Sequence, residues 1–313
     1  MVEIKKRIYI FGCIMWDVIG KPFEEMSKGK DSTGSIIERP GGVAFNVALG
    51  LSKILNEKSY ELNLVSAIGE NERTGIILKA LKQNNINTKY LIINGNRNDQ
   101  YLSIETKTGE IFGSINSSNT FLTHQNEIEN KLSDICTEHK KSDNDAILIF
   151  DGNCSKEFLG IVKKQACDDI FTKYFIPANY SKLSEFKDNI LFFKGFNLII
   201  NLKEANILIH SKNLKNSEEA SKAIFEKIKT KKCLTIVTDG PNIAYGVSNE
   251  EVAGVRPKII KSNTSRLGAG DTFFAYFLSY KELNPAASLK KSLNIANKKT
   301  HIHLKANDQK IFK

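Results

Sequence analysis

The feature that most restricts how this chain can fold is a repeated alternation of short β-prone runs with segments of helical periodicity. Arg7-Ile8-Tyr9-Ile10-Phe11-Gly12 and Leu62 to Gly69 read as the first two buried strands, and Ala146 to Phe150, Tyr174 to Ile176, Leu198 to Asn201 and Leu234 to Thr238 follow. Helical segments lie between them. Gly41-Gly42 opens one with Ala44, Val47, Ala48, Leu51 and Leu55 on a single face; Thr74 to Asn84 is another, and Glu218 to Lys229 a third with Ala220, Ala223, Ile224 and Ile228 aligned. Such runs are buried together most simply in a mostly parallel sheet with helices on both faces, so the predicted class is α/β. Three strand ends are polar: Phe150 leads to Asp151-Gly152-Asn153, Ile200 to Asn201, and Val237 to Thr238-Asp239-Gly240. Ligands of open α/β sheets collect at the carboxyl ends of strands, which makes these positions candidates for binding.

One region departs from the alternation. Gln100 to Thr106 and Ile111 to Ile115, joined by Lys107-Thr108-Gly109-Glu110, read as a β-hairpin. With the polar, glycine-bearing loop or short strands between Asp17 and Gly41, it forms a small β lid built from about residues 13–38 and 98–117. There is no internal repeat and no low-complexity linker, so a single domain over residues 1–313 with an appended lid is expected.

The formal charge of +10 would suit a nucleic-acid surface, but the lysines are spread along the chain with no arginine-rich or aromatic-basic module, so no nucleic-acid partner is expected. A positive surface also attracts a polyanion such as ATP. No apolar run approaches the ~20 residues that span a bilayer, and Met1 to Arg7 leads into a strand without a signal-peptide core, which points to a cytoplasmic protein with no membrane partner. The five cysteines are scattered, without a Cys-x-x-Cys pair, and indicate neither a disulfide framework nor a zinc site; His301 and His303 near the C-terminus are read as incidental.

The most chemically suggestive stretch is Leu267-Gly268-Ala269-Gly270-Asp271-Thr272-Phe273, a glycine-rich turn running into a helix-patterned segment. The first amides of a helix lack internal acceptors and its dipole favours negative charge there, so Gly268, Ala269, Gly270 and Asp271 can offer backbone donors to a phosphoryl group. A carboxylate beside a bound phosphate is repelled, and Asp271 makes sense there as the acceptor of a proton from a substrate hydroxyl. The same tetrapeptide would also serve as a plain turn ahead of a capping Asp. There is no Gly-x-x-x-x-Gly-Lys-Ser/Thr motif, which leaves a P-loop kinase unsupported.

The Gly-Ala-Gly-Asp run resembles the second motif of the PfkB/ribokinase family of carbohydrate kinases, and Gly41-Gly42-Val43-Ala44-Phe45-Asn46-Val47-Ala48 resembles its first. The likeness covers nearly the whole chain, with the motifs in order. It implies a ribokinase-like fold and transfer of the ATP γ-phosphoryl group to an alcohol, with Asp271 catalytic and the Gly268, Ala269 and Gly270 amides at the phosphoryl oxygens. It implies sugar or nucleoside binding by Asp17, Gly41, Gly42, Asn46, Tyr101 and Asn153, and nucleotide contacts from Asn201, Thr238, Gly240 and Asn297. Asn201-Leu202-Lys203-Glu204 resembles the family's Asn-x-x-Glu element, which implies that Glu204 helps hold magnesium through its waters. Read without the family, Asp17 is a solvated loop acid and Glu204 a helix-start acid.

Within the family the arrangement is most similar to the pseudouridine kinases, through Asp17 to Pro22, Gly34 to Pro40 ahead of Gly41-Gly42, and Tyr101 to Ile104 ahead of Gly109-Glu110. That implies pseudouridine as substrate; the alternatives are another sugar or nucleoside kinase, or a nucleoside-binding protein without catalysis. Two departures stand out. Phe45 precedes Asn46 where those kinases often carry a basic residue, and Ser265-Arg266-Leu267 replaces the usual Asp-Thr-Thr or Asn-Val-Thr, which weakens the expectation of a potassium site. Arg266 there supplies a fixed charge near the nucleotide or is a surface arginine. A hairpin with exposed edges is also a dimer surface, so a homodimer through the lid is expected.

Overall fold

The computed structural model describes residues 5–142, 144–178, 180–187, 189–210, 214–259 and 265–311. Met1 to Ile4, part of the run ahead of the first strand, lies outside them. In chain order the elements are β1 (Lys6–Phe11), β2 (Met15–Pro22), β3 (Gly34–Gly41), α1 (Val43–Ser52), β4 (Tyr60–Ile68), α2 (Glu72–Gln83), β5 (Ile86–Asn87), β6 (Leu91–Ile93), β7 (Asp99–Glu105) and β8 (Ile111–Ser117). There follow α3 (Thr120–Thr123), α4 (Gln125–Ser142), β9 (Ala146–Asp151), α5 (Lys156–Gln165), β10 (Phe171–Ile176), α6 (Tyr180–Leu183), β11 (Phe196–Asn201), α7 (Leu202–Ile209) and α8 (Ser217–Ile228). The chain continues through β12 (Leu234–Thr238), β13 (Ala244–Ser248), β14 (Val252–Val255), α9 (Ala269–Leu283) and α10 (Leu289–Ile311).

The large sheet runs β14-β13-β12-β11-β10-β9-β1-β4-β5, with β6 also on β4. All its pairs are parallel except β12 with β13 and β13 with β14. Successive side chains of a strand face opposite sides, and β1 and β9 use this to feed two cores. Tyr9, Phe11, Leu148 and Phe150 pack under α4, α5, α7 and α8, while Ile8, Ile10, Ile147 and Ile149 pack under α1, α2, α9 and α10. The chain passes from β1 to β4 on one side and returns as β9 on the other, so the strand order reverses at β1/β9. Crevices in open α/β sheets form at such reversals.

Helix α1 approaches α9 closely because Gly50 has no side chain: a Cβ there would lie 2.5 Å from the Ala275 Cβ. Helix α2 begins two residues earlier than the periodicity suggests, since Asn71 caps it by accepting from the Arg73 amide at 3.0 Å while Thr74 Oγ1 accepts from the Asn71 amide at 3.0 Å. Leu55 is buried with the α1 face but lies beyond that helix's end.

The second sheet, β3-β2-β7-β8, contains the expected β7–β8 hairpin. Of the loop or short strands expected after Asp17, the structure has both: β2 and β3 form an antiparallel pair from Met15↔Gly41 to Pro22↔Gly34 with a loop between them, and Asp17 sits inside β2. This sheet reverses the usual pattern. Its inner face carries the buried polar residues Asp17, Lys21, Asp99, Ser103 and Glu105, whereas Ile36, Leu102, Ile104, Phe112 and Ile115 are exposed. Among the described residues no helix is long and apolar enough to cross a membrane.

Candidate active site

A cavity of about 240 Å³ lies where the inner face of the small sheet meets the carboxyl ends of the large sheet's strands. From the small sheet, Asp17, Tyr101 and Asn116 border it; they are one lateral row, Asp17 opposite Tyr101 in the β2–β7 register and Tyr101 opposite Asn116 in β7–β8. From the large sheet and its helices come Asn46, Asn153, Asn201, Glu204, Thr238, Gly268, Gly270 and Asp271. Gly42 borders it too, whereas Gly41, Gly240, Ala269 and Asn297 do not.

The glycines have separate steric reasons. A Cβ on Gly41 would lie 2.0 Å from the Asp17 carboxylate oxygen Oδ2, so that bare backbone is what gives Asp17 its place. Gly42 has φ 90° and caps α1 with its backbone within 2.5 Å, measured from an ideal Cβ, of the Cys13 carbonyl oxygen. Gly268, with φ 74°, is the left-handed residue from which α9 departs. In that turn the Ala269 amide donates to the Arg266 carbonyl at 3.2 Å and the Thr272 amide to the Gly268 carbonyl at 3.0 Å. The Ala269 amide is therefore already engaged, and the amides of Gly270 and Asp271 have no acceptor among the described residues.

Asp271 falls in the first turn of α9 and accepts from Asn46 Nδ2 at 2.9 Å, a bond that joins the two glycine motifs across the α1–α9 contact. Burial pushes its carboxyl up to about 6; the Asn46 bond works against this, and the charge of Asp151 adds to it. Asp17 is pushed up to about 7, again by burial first, with Arg39 opposing and Asp271 reinforcing. Glu204 is raised to about 7 by burial despite its bond from the Asn201 amide, with Asp271 contributing. Burial is the leading cause for all three acids, and the charge of Asp271 adds to it at Asp17 and Glu204.

The Asn201-x-x-Glu204 pattern has a local explanation as well. It is a capping box at α7, in which Asn201 Oδ1 accepts from the Glu204 amide at 3.0 Å and Glu204 Oε2 from the Asn201 amide at 2.7 Å. Among the described residues no group of three or more His, Cys, Asp or Glu side chains is arranged to hold a metal. Glu204 brings the cavity one carboxylate with Oε2 already engaged in the capping box, which suits an ion that keeps most of its waters and leans on phosphates.

Two residues of this region, Lys182 and Asn116, were absent from the sequence-based selection, and a third, Asp151, entered it only as part of a polar strand end. Asp151, at the end of β9, is buried and accepts from the Cys13 amide at 2.9 Å and the Asn153 amide at 2.8 Å, fastening the β1 and β9 ends at the strand-order reversal. Gly12 leaves room for it, since a Cβ there would sit 2.1 Å from the Asp151 Cγ. Lys182 in α6 donates to Asn153 Oδ1 at 3.2 Å and Ser118 Oγ at 3.3 Å. Asn116 borders the cavity with a buried Oδ1 that has no hydrogen-bond partner among the described residues. The polar strand end marked Asp151 in the sequence; nothing local distinguished Lys182 or Asn116 from the many other lysines and asparagines.

Comparison with known proteins bears on the whole arrangement. The chain is 32% identical over 116 residues to the pseudouridine kinase of Escherichia coli (strain K12), a match covering 37% of this chain and 36% of that protein's length. Among solved structures, the ribokinase of Giardia lamblia superposes with a TM-score of 0.74 at 17% identity over 96% of this chain and 93% of its own. The ribokinase of Cryptococcus neoformans var. grubii serotype A in complex with ADP gives 0.66 at 17% identity over 96% and 94%. These superpositions show a shared ribokinase-like fold. With residues 5–302 matching the model of the pfkB family carbohydrate kinases, the chain belongs to that family.

Proposed function

We propose that this protein transfers the γ-phosphoryl group of ATP to the primary hydroxyl of a ribonucleoside, pseudouridine first among them, giving the 5′-phosphate. The observation that carries the reading is the meeting of Asp271 with Asn46 and Asp17 on one cavity, at the start of a helix whose Gly270 and Asp271 amides have no acceptor among the described residues. Phosphoryl transfer passes through a loose transition state, so positioning and charge stabilisation supply most of the catalysis. Asp271, with its carboxyl near 6, is ionised at neutral pH yet basic enough to take the acceptor's proton. Gly268 and Gly270 belong to the turn facing the phosphoryl oxygens; Ala269 shapes it through its bond to Arg266.

Asp17 is placed to accept from the two vicinal hydroxyls of a ribose, and Asn46 to orient both the sugar and Asp271. Tyr101 and Asn153 complete the acceptor side, and Asn201 and Thr238 the nucleotide side; Gly240 and Asn297, set back from the cavity, are assigned to the outer part of the nucleotide site. Magnesium arriving with ATP neutralises phosphate charge, and Glu204 fits as the residue that holds its water shell. For a base carrying both N–H and C=O groups, the open Asn116 acceptor and the Lys182–Asn153–Ser118 set are suited partners. The four-stranded sheet acts as the lid of a single domain. Its exposed apolar outer face, ending in open edges at β3 and β8, suits a second copy of the chain. All five cysteines are free thiols, in keeping with a cytoplasmic setting.

The deciding experiment is acceptor-dependent ADP release with pseudouridine, uridine, adenosine, inosine, ribose and fructose. The highest kcat/KM is expected with pseudouridine. A preference of more than about tenfold for ribose or fructose would move the acceptor to a free sugar, and binding without ADP release would leave a nucleoside-binding protein.

A further inference from the structure

Ser265 and Arg266, immediately ahead of the Gly268–Asp271 turn, each bond in two directions. The Ser265 hydroxyl donates to the Glu105 carboxylate and accepts from the Leu267 amide at 3.3 Å. The Arg266 amide donates to the Gly109 carbonyl at 3.4 Å and its guanidinium pairs with Glu110 at 2.9 Å, while its own carbonyl takes the Ala269 amide at 3.2 Å. On one side of both residues lies the β7–β8 hairpin, on the other the turn itself.

Glu105 is built for this contact. It is 1% exposed, and at that depth the bond its Oε1 accepts from Ser265 offsets part of the cost of burying a carboxylate. The β7–β8 register slips between Ile104 and Glu105, a local irregularity of the kind that re-aims a side chain beside an active site. Along β7 the inward positions are Asp99, Tyr101, Ser103 and Glu105, so the strand presenting Tyr101 to the cavity also ends on Ser265. The Arg266–Glu110 pair is exposed and contributes less, but it ties the hairpin tip in the same sense.

We propose that Ser265 and Arg266 are positioning residues that couple the seating of the small sheet to the geometry of the phosphoryl-holding turn. When the small sheet is seated, the Ser265 and Arg266 bonds hold Leu267 and Ala269 in place, and the free amides beyond them are aimed. When it is displaced, the turn loses both supports. The rate prediction rests on the proposed kinase reading; the exchange prediction below does not.

The test uses the full chain. Ser265→Ala is expected to lower kcat about tenfold, as slight misplacement of a positioned group does, with the KM for ATP changed less than about twofold. Glu105→Ala is expected to speed amide exchange at Leu267 and Ala269, the bonded amides of the turn, about tenfold, and Glu105→Gln, which keeps an acceptor for the serine, to restore it. The exchanged pair Arg266→Glu with Glu110→Arg is expected to recover what Arg266→Glu alone loses. Unaltered exchange in the turn of folded Glu105→Ala would overturn the proposal. Should Glu105→Ala not fold, unaltered hairpin exchange over Thr106 to Glu110 in Ser265→Ala would do the same. A chain that transfers to no acceptor defeats the proposed substrate reading, and the exchange result still decides this one.

Discussion

At the scale of single residues, the site is defined by carboxylates that burial makes reluctant to ionise. Asp271→Asn keeps the shape and the Asn46 contact but cannot accept a proton, so kcat is expected to fall by about 10²–10⁴-fold with the KM for ATP within about twofold, measured by steady-state ADP release. With the Asp271 carboxyl near 6, the wild-type rate is expected to rise with pH through that region and level off above about 7. Asp17 supplies an opposite test on stability. Its folded pKa, about 7, lies above that of an unfolded aspartate, so the native state binds the extra proton between the two values and loses stability as pH rises through this window. Asp17→Asn is therefore expected to raise Tm at pH 8 by about 2 °C or more while weakening acceptor binding; calorimetry at pH 5 and pH 8 should show the gain shrinking at the lower pH.

At the scale of elements, the catalytic geometry is a packing relation between α1 and α9, which carry Asn46 and Asp271. Gly50→Ala places a methyl 2.5 Å from the Ala275 Cβ, and such overpacking costs about 1–3 kcal/mol. A lower Tm and a reduced kcat are expected together, with Ala275→Gly in the same chain restoring both. The helices were legible in the sequence because their apolar faces repeat at helical spacing, and the large sheet because β1, β4, β9 and β11 are nearly continuous apolar runs buried on both sides. The small sheet was harder to see. In β2 the buried residues mix Asp17 and Lys21 with Met15, Trp16 and Ile19, and β3 exposes Ile36, so no clean alternation marks the strands and Asp17 reads as part of a loop. The β13–β14 hairpin escaped notice since Ala244–Ser248 and Val252–Val255 are short and lean on α10 for cover. The two glycine motifs announced themselves through residue type and order, whereas Lys182 and Asn116 owe their significance entirely to tertiary placement.

At the scale of the whole molecule, the outward apolar face of the small sheet has the composition of an interface. Ile36 and Ile115 are 75% and 65% exposed. The expected outcome of sedimentation is a dimer, and Ile36→Lys with Ile115→Lys is expected to give a monomer that is still folded; a wild-type chain that sediments as a monomer at micromolar concentration would count against the assembly. The small sheet's inner face and the large sheet's strand ends form the two walls of one cavity, and Asp17 on one faces the same space as Asn46 on the other. On the proposed reading, a nucleoside lying there is itself a piece of the architecture. It acts as mortar between two courses, and the empty protein is then the looser of two forms, so the acceptor should protect this enzyme against heat and proteases as well as being consumed by it.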